Sequence, residues 1–183
     1  MFILYGLLVG IVTGLVSGGR LAGLARLELR WVPLAIVGLL VQLALFSAFM
    51  TERVAGMGPP LYIGSTLLVL AAVLRNVRVR GMPLLGIGAI TNLAAIVTNG
   101  GFMPTTAEAI AASGHSVASG YSNSAFLEHP RLGFLTDVFA LPPWLPMANV
   151  FSIGDVLIAM GVAWIIVSAM RAACPPAVTD PSA

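Results

Sequence analysis

The stretch FSIGDVLIAMGVAWIIVSAM, Phe151–Met170, carries a single charged residue, Asp155, at its start. As a helix rising about 1.5 Å per residue it would span about 30 Å, the thickness of a bilayer's hydrocarbon core. Four further apolar segments share this character, Phe2–Gly19, Trp31–Met50, Pro60–Leu74 and Met82–Thr98. Of 183 residues, 58% are hydrophobic and 9% charged, where soluble domains carry about 25% charged residues. A water-soluble fold is excluded on this reading. The expectation is an all-α integral membrane bundle of about five transmembrane helices with a long, partly helical outer loop. One domain covers residues 1–174, with spans at 2–19, 31–50, 60–74, 82–98 and 151–170 and the outer loop at 99–150. Residues 175–183 are expected to form a disordered cytoplasmic tail.

Charge placement sets the expected orientation, because short cytoplasmic loops collect basic residues. Arg20, Arg26 and Arg30 separate the first two segments, Arg75, Arg78 and Arg80 the next pair, and Arg171 follows the last. Only Arg53 and Arg131 fall on the other side. The N-terminus is therefore expected outside and the C-terminus inside. No basic residue precedes the first segment, so it reads as a retained span and not as a signal peptide. The formal net charge of +2 is too small to argue for nucleic acid, and the lone Cys174 can close no internal disulfide.

Gly6, Gly10, Gly14 and Gly18 recur every four residues. On a helix they make one smooth ridge that lets a neighbouring backbone approach, within the bundle or in a homo-oligomer. The loop RLAGLARLELR, Arg20–Arg30, has the pattern of an interfacial helix beside anionic lipid. A weak repeat relates Arg30, Pro33, Leu34, Gly38, Leu43 and Ala44 to Arg80, Pro83, Leu84, Gly88, Leu93 and Ala94, with Gln42 answering to Asn92. It would make the hairpin of the first two spans the counterpart of the next two, as a parallel repeat. Gln42 and Asn92 then become equivalent amides at membrane depth, where each needs a partner. Asn99 lies two turns beyond Asn92, near the same helix face.

The fourth segment ends in TNGGFMPTT, Thr98–Thr106. Gly100 and Gly101 provide the open backbone of a helix end, and Pro104 prevents continuation. Thr105 or Thr106 can cap a short helix over Ala107–Ala112 that Gly114 closes. His115–Ser124 reads as irregular, and Leu132–Leu141 as a segment at the outer interface with Trp144 at headgroup level.

Asn-Gly-Gly-Phe-Met-Pro, Asn99–Pro104, and Phe-Ser-Ile-Gly-Asp-Val, Phe151–Val156, resemble a bacterial family of five-span integral membrane proteins of unknown function. That likeness implies the fold and the bacterial inner membrane, and no activity. A fainter local likeness joins Asp137 and Asp155 to the closing part of lipoprotein signal peptidases. Their aspartate dyad lies near the outer membrane face, and their Asn-x-Gly segment is similar to Asn99–Gly101. The sequence departs from them in lacking Asn-x-x-Asp-Arg, in having Ser152 where they have Asn, and in its number of spans.

Two adjacent carboxylates share a proton, so one can activate water while the other protonates a leaving group. Asp137 and Asp155 are the catalytic candidates on that reading. A local alternative also accounts for Asp155, since Ser152 and Asp155 have the S-x-x-D spacing of a capping box. His115, His129, Glu108 and Glu128 show no metal-ligand spacing, and no nucleotide loop or haem-attachment pair is present, so no metal or cofactor is expected. The favoured expectation is a non-enzymatic accessory, binding or transport-related protein with an outer vestibule lined by Asn92, Asn99, Asp137 and Asp155. Gly6, Gly10, Gly14, Gly18, Gly100, Gly101, Pro104 and Ser152 are structural. The alternative is an aspartate-dyad membrane hydrolase or peptidase. The expected partners are the lipid bilayer and another membrane protein or a second copy.

Overall fold

The computed structural model describes residues 2–51, 53–114 and 124–172. The expectations for 115–123, Cys174 and the tail at 175–183 lie outside the described residues. The chain is predominantly helical, as expected. Its helices are α1 (Ile3–Val16), α2 (Val32–Leu45), the short α3 (Ala48–Thr51), α4 (Gly58–Arg75), α5 (Met82–Thr98), the short α6 (Ala107–Ser113) and α7 (Ile153–Ala172). Among the described residues, two helices, α4 and α7, are long and apolar enough to cross a membrane, whereas α1, α2 and α5 are shorter apolar helices.

Helix boundaries follow local chemistry. Proline stands in the first turn of α2, α4 and α5, where its missing N–H leaves no helical bond unmade. Trp31 and Gly81, both left-handed, precede α2 and α5, which gives these two helices the same kind of start. α1 stops short of the expected boundary at residue 19, because Gly18 turns left-handed at φ 79° beyond its end. The loop expected as an interfacial α-helix contains instead a 3-10 helix, Leu21–Arg26.

The long helices stand in the spatial order α2, α4, α5, α7, α1. α1 therefore lies against α7 and α2 against α4, so the expected pairing of the first two helices as one hairpin unit is not the arrangement formed. α1 and α7 run parallel: Cβ atoms added at Gly6, Gly10 and Gly14 would meet Ala159, Ala163 and Met170 in that order. At Gly6 the added atom would lie 2.5 Å from the Ala159 carbonyl oxygen. Gly18 is not part of this contact, as nothing lies within 4 Å of its Cβ position. α5 and α7 run antiparallel and meet backbone to backbone at two places, Gly81 beside Gly161 and Gly88 beside Gly154.

Between the helices the interior combines small residues at the close approaches with larger apolar side chains, including the fully buried Ile96 and Met170. Large apolar side chains face outward, among them Leu8, Val9, Leu40 and Leu43, the last 72% exposed. At one end of the bundle, Asn76 ties the loops that carry most of the arginines. Its Oδ1 accepts from the Arg30 N–H at 2.8 Å, and its Nδ2 donates to the Arg30 carbonyl at 2.7 Å. At this same end the Arg20 N–H donates to the Met170 carbonyl at 3.0 Å.

At the opposite end, the described residues of 103–114 and 124–151 form a cover. β1 (Met103–Thr105) pairs in parallel with β2 (Ser124–Phe126), Met103 opposite Ser124. β3 (Phe139–Ala140) pairs antiparallel with β4 (Val150–Phe151), Phe139 opposite Phe151. Thr106 caps α6 by accepting from the Ala109 N–H at 3.1 Å, and the left-handed Gly114 closes the helix.

Candidate functional site

The residues closest to the site are fixed by the start of α7. Ser152 Oγ accepts from the Asp155 N–H at 3.1 Å, and Asp155 Oδ2 accepts from the Ser152 N–H at 3.0 Å. This is a reciprocal capping box, and it places a carboxylate in the first turn, where the helix dipole favours it. Asn92 then reaches across from α5. Its Nδ2 donates to Asp155 Oδ1 at 2.9 Å, while its Oδ1 lies 2.9 Å from Ser152 Oγ. The approach depends on Gly154, since a Cβ there would overlap the Asn92 amide.

Ser152 Oγ is also 3.1 Å from Asp155 Oδ2. Its one proton can serve either the carboxylate or the amide oxygen at a given moment. Both oxygens of Asp155 thus accept bonds inside a three-residue network that joins α5 to α7.

Asp137 comes from the cover. Its N–H donates to the Pro104 carbonyl at 2.9 Å, and its own carbonyl accepts from Thr105 Oγ1 at 3.0 Å. These bonds extend the edge of β1 and hold Asp137 buried, with 4% of its surface exposed.

A cavity of about 250 Å³ opens at this end of the bundle. Asn92, Asp137 and Asp155 all line it, joined by Gln42, Tyr62 and Asn149. Phe2, Ile3, Phe46, Ile96, Met103 and Val150 complete its wall. Gln42 donates to Thr66 Oγ1 at 3.2 Å. The cover is pinned to α1 by aromatic stacking, with Phe2 4.2 Å from Phe151 and Phe151 5.5 Å from Phe139, and by the Tyr5 hydroxyl, which donates to the Pro146 carbonyl.

Asn99 lies elsewhere. Its Oδ1 accepts from the Arg131 N–H at 2.8 Å, and its Nδ2 donates to the Arg131 carbonyl at 2.9 Å. It fastens the cover to the end of α5 and is absent from the cavity lining, where the sequence reading expected it. Gly100 and Gly101 are left-handed, at φ 74° and 90°, and a Cβ on Gly101 would strike Pro59. Pro104 is fully buried and supplies the carbonyl that holds the Asp137 backbone.

Tyr62 and Asn149 were missed from sequence. Tyr62 is a phenol inside an apolar helix, and that polarity was a usable signal; Asn149 sits in a connection with no periodicity to place it. Among the described residues, no group of three His, Cys, Asp or Glu gathers as metal ligands would. His129 and the two glutamates are absent from the cavity lining.

These features define a helical protein with a polar, two-carboxylate cavity closed by a short β-containing cover. The chain belongs to a family of unknown function (DUF5317), whose model matches residues 26–167. No curated protein and no solved structure matches the chain.

Proposed function

We propose that this protein is a multi-pass integral membrane protein of the bacterial inner membrane that binds a small polar solute in a vestibule on the outer face. The membrane reading is supported by the outward display of large apolar side chains on α1 and α2. An exterior more apolar than a monomeric soluble protein carries calls for a lipid environment. On this reading α1, α2, α4, α5 and α7 are the five spans and residues 1–174 one domain. The shorter helices cross with the help of their flanking turns and local thinning of the bilayer. The arginines of the Asn76 end lie on the cytoplasmic side, which puts the N-terminus and the cavity outside. Lipid is then the first partner, and association with another membrane protein or a second copy follows as a further proposal.

The observation that carries the solute-binding reading is the convergence of Asn92, Asp137, Asp155 and Gln42 on one cavity. Among the described residues, the lining holds two carboxylates and no Arg, Lys or His. Such a wall favours a solute with a positive charge, because two carboxylates near one low-dielectric space repel each other until a cation joins them. Phe46 and Tyr62, in edge contact with centroids 4.9 Å apart, add aromatic surface for the solute's apolar part. The role is binding and not catalysis, since both oxygens of Asp155 already serve the cap and Asn92.

The test is a screen of small cationic, neutral and anionic solutes against the full chain in lipid nanodiscs, read as thermal stabilisation. Cationic solutes are expected to raise Tm by mass action, and to do so far less in Asp137→Asn. Absence of stabilisation by any class, or equal stabilisation of the variant, would overturn the reading.

One observation favours a second reading, that both aspartates line the same cavity. An aspartate-dependent hydrolase acting at the outer face would use them as general acid and base. Cells carrying Asp137→Asn or Asp155→Asn would then accumulate an uncut membrane substrate, and a membrane proteome unchanged by both substitutions removes this reading.

A further inference from the structure

A second cavity, of about 560 Å³, lies at the opposite, arginine-bearing end. Its lining is Arg80, Trp164, Val167, Ser168, Arg171 and Ala172. Residues 164, 167, 168 and 171 recur at the spacing of one helix face, so α7 supplies a continuous wall. Arg80 comes from the turn before α5, and Gly81 fixes that turn. A Cβ on Gly81 would lie 2.6 Å from the Gly161 carbonyl oxygen and 2.8 Å from the Ile165 nitrogen, so its backbone rests directly on α7. Arg80 is thereby held beside the helix whose last turn carries Arg171.

Among the described residues, neither guanidinium has a hydrogen-bond or ion-pair partner. Arg53 and Arg75 contrast with them. Arg53 bonds the Phe49 carbonyl and lies over the Phe49 ring, and Arg75 lies 5.9 Å from the Trp31 ring. The cavity therefore has two uncommitted forked donors at one end. Away from the arginines the α7 wall is apolar: Trp164 is 55% exposed, and Met160, one turn beyond the cavity lining toward the middle of α7, is equally exposed.

We infer that this groove binds an anionic phospholipid of the inner leaflet. Arg80 and Arg171 hold the headgroup phosphate, Ser168 can donate to it, and an acyl chain lies along Trp164 and Met160. Guanidinium forks match phosphate oxygens in geometry as well as in charge. A free phosphate would satisfy the arginines and leave the indole face unused; an amphiphile occupies both, and that difference selects lipid over soluble anion. The inference rests on the membrane reading above but not on the outer cavity.

The experiment uses the full chain in nanodiscs, with Trp31→Phe and Trp144→Phe so that Trp164 is the reporter. Quenching by brominated phosphatidylglycerol is compared with that by brominated phosphatidylcholine. Two basic contacts predict about a thirtyfold preference for the anionic lipid, reduced to nearly none by Arg80→Gln with Arg171→Gln. Both side chains are exposed, so folding is retained. Equal quenching by the two lipids, or a preference that survives the double substitution, overturns the inference and leaves the membrane reading intact. Complete displacement of the anionic lipid by millimolar inorganic phosphate assigns the site to a soluble anion and overturns it as well. No quenching by either lipid would mean that α7 does not meet a bilayer, and both readings would fall.

Discussion

Asn92 Nδ2 donates to Asp155 Oδ1 at 2.9 Å, and this single contact links the second half of α5 to the first turn of α7. Because Asn92 Oδ1 also faces Ser152 Oγ, the helix cap and the interhelical bond are parts of one network. Ser152→Ala removes a cap whose loss costs about 0.5–2 kcal/mol, and Asn92→Ala removes the cross-link. In a double-mutant cycle on stability in detergent, the two effects should fall short of additivity by about 0.5–3 kcal/mol, as expected for one network. Simple additivity would mean that cap and cross-link act separately.

The glycines of α1 should behave according to what faces them. Gly6→Ala puts a methyl group 2.5 Å from the Ala159 carbonyl oxygen, so α1 must move off α7. Gly64, within α4, has nothing within 4 Å of its Cβ position. There alanine should stabilise by up to about 1 kcal/mol through backbone entropy alone. Thermal unfolding should therefore move Tm down for Gly6→Ala and up for Gly64→Ala.

This contrast bears on how much could be read from the chain itself. The ridge Gly6, Gly10 and Gly14 is legible, since a spacing of four on one helix is a local pattern; that it seats on α7 is not, because no local pattern names a partner. Gly18 fits the spacing and fails in space, its left-handed backbone ending the helix. Gly81, Gly154 and Gly161 escaped notice, and Gly88 was read only as a repeat match, because their spacing of seven makes sense only when two antiparallel helices are laid together. At the site, the capping box at Ser152 and Asp155 was legible because it spans four consecutive residues. Asn99 was misplaced, since a shared helix face with Asn92 does not reveal that the helix ends there and that the amide turns to the Arg131 backbone.

That turn gives a prediction for the cover. Asn99 holds Arg131 through both its N–H and its carbonyl, so Asn99→Ala should loosen the segment leading to Asp137. Hydrogen exchange over residues 131–137 should accelerate by about tenfold or more, with α4 and α7 unchanged. Gly101→Ala should loosen the same region by another route, through the clash with Pro59 and the strain of φ 90°. A change spread evenly over the helices would mean that Asn99 supports the whole bundle.

The two aspartates should separate when each is replaced by asparagine. Asp155 accepts on both oxygens, from Asn92 Nδ2 on one and from the Ser152 N–H on the other. An asparagine there must turn an NH₂ toward one of these donors, so either two donors meet or the Asn92 amide has to turn over, and in both cases the first helical turn loses its anion. Asp155→Asn should therefore lower stability by about 0.3–1 kcal/mol or more even with the cavity empty. Asp137 is fastened by its backbone, through the Pro104 carbonyl and Thr105 Oγ1, and those bonds survive the substitution. Its replacement should lower solute affinity, weakening a cationic solute by about tenfold or more through loss of one facing charge. Calorimetric titration and thermal unfolding of the two variants would check this. If Asp137→Asn kept full affinity while Asp155→Asn lost only stability, the carboxylates would serve the fold alone, and the solute would have to be sought outside this cavity.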